Sequence, residues 1–166
     1  QDIRRYLQSI GRWPLDRYLP DESGANALDP AAPQPFAGMA RDDDLDYPIL
    51  NLLLIEQNGP DWTHENAREL WLRHLSHDLI YAAGRAAYEA LCIGILPPRT
   101  ATWGNPCRQS LGGMIRCDTW GWVCPGDPAR AAELAYRDAV ISQTANGVYS
   151  AMFFAAVIAE AFRTNA

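Results

Sequence analysis

From residue 46 onward, apolar residues recur at spacings of three and four, the period of a helix rather than of a strand. The stretch DYPILNLLLIEQNG, Asp46 to Gly59, is apolar nearly all round, which predicts a central buried helix with Pro48 in its first turn and Gly59 at its end. DWTHENARELWLRHL opens with Asp61 or Thr63 as N-cap and sets Ala67, Leu70, Trp71 and Leu75 on one stripe. GRAAYEALCIGI reads as a short helix that stops before Pro97-Pro98. GDPARAAELAYRDAVIS carries a strong start signal, Asp127 as N-cap with Pro128 at the first helical position. ANGVYSAMFFAAVIAEAF is the last predicted helix, with Gly147, Ala151, Ala155 and Ile158 on a face that lets a neighbour approach closely. At the other end, IRRYLQSIG predicts a short helix closed by Gly11, followed by turns at Pro14 and Pro20. Residues 20–40, rich in Pro, Gly and Ala, read as an irregular connecting loop. No strand alternation and no internal repeat is found, so the predicted class is all-α.

Composition narrows the function without naming it. The 166 residues suffice for one domain with a real core, residues 1–166, in which 41–166 carries the helical pattern. A net charge of -6 argues against a nucleic-acid groove, which needs a basic footprint. A phosphate-bearing ligand stays open, because backbone N–H groups and one Arg can hold it locally. No apolar run reaches membrane-spanning length, and QDIRRYLQSIGRWPL lacks the apolar centre of a signal peptide. Cys92, Cys107, Cys117 and Cys124 match no CxxC metal spacing, so reduced thiols in a cytoplasmic protein are expected, with a disulfide between two of the last three as the alternative.

Chemistry concentrates in a few places. Asp42, Asp43 and Asp44 precede the apolar run, with Asp46 just beyond. Clustered carboxylates suit a hard cation such as magnesium or calcium; Asp in a first helical turn also caps the helix and meets its dipole. Asp138 continues the stripe Ala131, Leu134, Ala135 and so projects from a buried face, where a carboxylate requires a cation, N–H donors or a proton. The plain reading is a structural hydrogen bond to a neighbouring helix end. LGGMIRCDTWGW pairs Gly112 and Gly113 with Arg116, Asp118 and Trp120; glycines there admit either a ligand or a packed helix. The polar turn SQTANG lies between two apolar helices and could face a cleft. His74 and His77, three apart, share a helix face, and with His64 read as surface histidines rather than a zinc site.

The order DDDLDYPILNLLLIE, then GGMIRCDTWGWVCPGDPARAAELAYRDAVISQTANGVYSAMFFAAVIAEAF, resembles the ADP-ribosylglycohydrolase family over about residues 40–163. The resemblance implies an orthogonal multi-helical bundle and hydrolysis at the anomeric carbon of ADP-ribose or a smaller ribosyl compound, with a binuclear magnesium site. It implies that Asp42 takes the place of the family's Thr/Ser and Asp43 and Asp44 those of its two aspartates. All three would then be metal ligands, one of them also orienting the attacking water. Gly112, Gly113 and Arg116 would approach the ADP-ribose, with Trp120 close to adenine or ribose. Asp138 and Ala139 match an Asp-Ala pair, Ser142 the Thr after it, and Gly147 the glycine that opens the packed helix; Ser142, Gln143 and Gly147 complete the implied substrate side. Leu45, Leu111 and Gln143 depart from the Thr, Asn and His of the pattern. The family's remaining metal ligands lie in a Gly-x-Asp-Thr-Asp segment further downstream. The expectation is therefore the middle of a longer protein. The alternative is a non-catalytic helical binding or structural module of the same fold.

Overall fold

The computed structural model describes residues 3–14 and 42–163. Those residues hold helices and turns, and no strand is found among them. The chain divides into two compact units, Gln1–Ala40 and Arg41–Ala166. In the first, helix α1 (Ile3–Ser9) runs into a turn at Gly11, whose φ of +67° suits glycine. The loop expected at 20–40 lies outside the described residues.

The second unit is built from α2 (Asp43–Asn58), α3 (His64–His74), α4 (Ala82–Cys92), α5 (Asp118–Trp122), α6 (Pro128–Ala139) and α7 (Asn146–Ala161). Short 3-10 turns at His77–Leu79, Arg99–Ala101 and Leu111–Arg116 connect them. Local chemistry sets the boundaries. The Asp42 carboxylate accepts from the Asp44 N–H and starts α2, and Gly59 ends it with φ +72°. Thr63, not Asp61, caps α3 in a reciprocal box with Asn66. Asp127 accepts from the Arg130 N–H ahead of Pro128 at the start of α6.

Burial sorts the faces. Tyr47, Leu50 and Leu54 of α2 meet Ala67, Leu70 and Trp71 of α3, Leu134 and Ala135 of α6, and Ala151, Ala155 and Ala159 of α7 in one core. The stripe predicted for α6 is buried along its length, Asp138 included. Alanines let α6 and α7 pack against each other through the short turn 140–145. Gly121 of α5 is pressed on α7 so closely that a Cβ there would lie 2.5 Å from Ile158.

Three expectations change. Helix α2 begins three residues earlier than its apolar run, because the aspartates cap it, so Pro48 falls inside the helix rather than in its first turn. The helix is not buried all round: Leu45, Ile49 and Leu52 are exposed on its outer face. His77 lies in a 3-10 turn beyond the end of α3, so it shares no helix face with His74. Its ring instead meets Glu89 of α4 at 2.9 Å. Among the described residues, no helix is long and apolar enough to cross a membrane.

Candidate functional site

The acidic start of α2 is the first component. Asp42, Asp43 and Asp44 each offer a carboxylate oxygen, and these lie within 4.8 Å of one another. Partial burial and mutual repulsion hold Asp43 and Asp44 above the ordinary carboxylate range. Asp118, at the start of α5, adds to the repulsion on Asp44 and is itself raised by burial. Anionic oxygens crowded in this way match the donor set of a hard divalent cation, which would relieve the repulsion.

Beside the triad lies a pocket of about 210 Å³. Asp43 and Tyr47, one turn apart on α2, form one wall; Tyr81 to Gly84 at the start of α4 form another; Ser110, Leu111, Gly112, Ile115 and Arg116 close it. Helix α4 starts without a side-chain cap and with no acid in its first turn, so its N–H groups and positive dipole end are available to an acceptor oxygen. Burial pushes the Tyr47 phenol up to about 12, so at neutral pH it is a donor.

Beneath the pocket sits a buried polar platform. Arg116 is 0 % exposed. Its Nε donates to Asp138 Oδ2 at 2.9 Å, one terminal nitrogen to Ser142 Oγ at 2.8 Å and the other to the Asp138 carbonyl at 3.0 Å. The guanidinium lies 5.3 Å from the ring centres of both Tyr47 and Trp71. Asn51 Nδ2 donates to the Arg116 carbonyl at 3.1 Å. Gln143, its amide nitrogen turned to the Arg108 and Ser110 carbonyls, donates to them at 2.8 and 3.1 Å and holds the loop that carries Ser110.

The family model for ADP-ribosylglycohydrolase matches residues 2–166. The chain belongs to the ADP-ribosylglycohydrolase family. Comparison with curated proteins and with solved structures gave no match.

Within this member of the family, the residues singled out from sequence separate into a surface set and a buried set. Asp43, Gly112 and Arg116 line the pocket, with Asp42 and Asp44 beside it. Gly113 is a packing glycine: a Cβ there would lie 2.6 Å from the Gly147 carbonyl oxygen. Gly147 is another, since its Cβ would meet the Gln143 amide and the Ser110 carbonyl. Ser142 and Gln143 are buried, so the SQTANG turn presents neither to a cleft. Arg116 spends its donors on Asp138 and Ser142, because a buried guanidinium needs its charge and N–H groups met inside the protein. Trp120 is 0 % exposed and stacks on Trp62 at 5.5 Å, so it offers no face to adenine or ribose. Tyr47, Tyr81, Gly84, Ser110 and Asp118 were not among the predicted site residues. The i, i+4 spacing of Asp43 and Tyr47 was the available signal for one of them.

Proposed function

We propose that this chain contributes a divalent-cation site and a ligand pocket to the hydrolysis of the bond between the anomeric carbon of an ADP-ribosyl or smaller ribosyl group and its nitrogen or oxygen partner. The observation that carries the reading is that Asp43 belongs to both the carboxylate triad and the pocket wall. Asp42, Asp43 and Asp44 would hold magnesium, which supplies Lewis-acid polarisation when bound. One of Asp43 and Asp44 would also orient the attacking water and take its proton at a carboxylate oxygen while the bond to the leaving group breaks. The uncapped start of α4 and the Tyr81 ring suit the phosphate-bearing or planar parts of such a ligand. The four unpaired cysteines support a reducing, cytoplasmic setting.

Isothermal titration with magnesium and with ADP-ribose tests the reading. Asp43→Ala and Asp44→Ala should each abolish magnesium binding while far-ultraviolet circular dichroism keeps its helical signal. Unchanged magnesium affinity in both variants would remove the metal assignment.

A further inference from the structure

Tyr47 is 2 % exposed, and its hydroxyl is buried with no hydrogen-bond partner in the described residues. A buried donor left in this state destabilises the fold. Phenylalanine would fill the same space in the core without that cost, so packing alone does not account for the oxygen. Two neighbours pack against the ring. Trp71 lies against it with ring centres 5.3 Å apart, and the Arg116 guanidinium lies 5.3 Å from its centre. The hydroxyl is aimed at Gly84, in the first turn of α4: a Cβ on that residue would lie 2.5 Å from the phenolic oxygen. Gly84 thus leaves room that any other residue would take. Tyr47 and Gly84 line the same pocket as Asp43.

We propose that Tyr47 is a ligand-positioning residue, whose hydroxyl donates to an acceptor oxygen of the compound bound in the pocket. The inference rests on the ribosyl-hydrolase reading above and adds a residue to it. Asp43 and Tyr47 stand one turn apart on the same face of α2, so a ligand oxygen held by Tyr47 fixes the ligand relative to the carboxylate triad. The acceptor is a phosphoryl oxygen or a sugar hydroxyl; both present lone pairs to a phenol.

Titration of wild type and Tyr47→Phe with ADP-ribose, inorganic pyrophosphate and ribose, each with magnesium, separates the outcomes. Tyr47→Phe should weaken ADP-ribose binding by about 3- to 10-fold where the acceptor is a sugar hydroxyl and by more than about 10-fold where it is an anionic phosphoryl oxygen, while its Tm stays equal or rises. A parallel loss for pyrophosphate assigns a phosphoryl acceptor, and one for ribose a hydroxyl acceptor; either supports the inference. Gly84→Ala should weaken binding in the wild-type background and much less so beside Tyr47→Phe, where the crowded oxygen is gone. Equal affinity of wild type and Tyr47→Phe for all three compounds overturns the role of Tyr47, as does a lower Tm with unchanged affinity, the mark of a structural residue. A wild-type protein that binds none of the three removes the hydrolase reading, and the role of Tyr47 with it.

Discussion

Arg116 shows how a residue type can mislead until its neighbours are known. Its charge and its place after two glycines suggested a phosphate clamp, whereas its donors are spent on Asp138 and Ser142. The same contacts answer the question raised by Asp138, which periodicity had put on a buried face: its partner is a cation from another element rather than a helix end. Removing one member of such a pair strands the other charge in the core. Arg116→Met is expected to cost about 3–5 kcal/mol in urea unfolding, and Arg116→Met with Asp138→Leu distinctly less than the sum of the two single changes. Additive losses would mean that the two side chains do not depend on each other.

At the scale of elements, close approach and capping do most of the positioning. Gly121 brings α5 onto α7, and α5 begins with Asp118, whose charge acts on Asp44. Gly121→Ala is expected to lower stability by about 1–3 kcal/mol through overpacking against Ile158, despite the better helix propensity of alanine. The turn between α3 and α4 is tied by His77, whose pKa is raised above 6.5 by its hydrogen bonds to Glu89 and then Asp78. The native state then holds this proton more tightly than the unfolded chain. The contribution is full below pH 6.5 and fades as pH rises through the higher folded value. Glu89→Gln should therefore narrow the difference in Tm between pH 6 and pH 8 and leave the helices intact.

For the whole molecule, an acidic chain of net charge -6 gathers three of its carboxylates on one helix start, and a bound cation should be felt as stability. Magnesium at a hundred times its Kd is expected to stabilise the native state by about 2.7 kcal/mol, read as a rise in Tm that Asp43→Ala removes. The all-α class, the faces of α3 and α6, and the cap at Asp127 were legible in the sequence, and the cap of α3 was narrowed to Asp61 or Thr63, because period and capping are local properties of the chain. The acidic triad was legible too, since consecutive residues at a helix start stay close whatever surrounds them. Which residues meet the pocket was legible only for Asp43, Gly112 and Arg116. Ser142, Gln143, Gly147 and Trp120 turn inward, while Tyr47, Gly84 and Ser110 gather around Asp43 from separate elements. Sequence by itself determined that the chain is helical, which stripes α3 and α6 bury and where negative charge is concentrated. Only the tertiary structure decided which polar groups find partners inside, because that depends on how α2, α4, α6 and the 111–116 turn pack, and on the cost of burying a charge that has no partner.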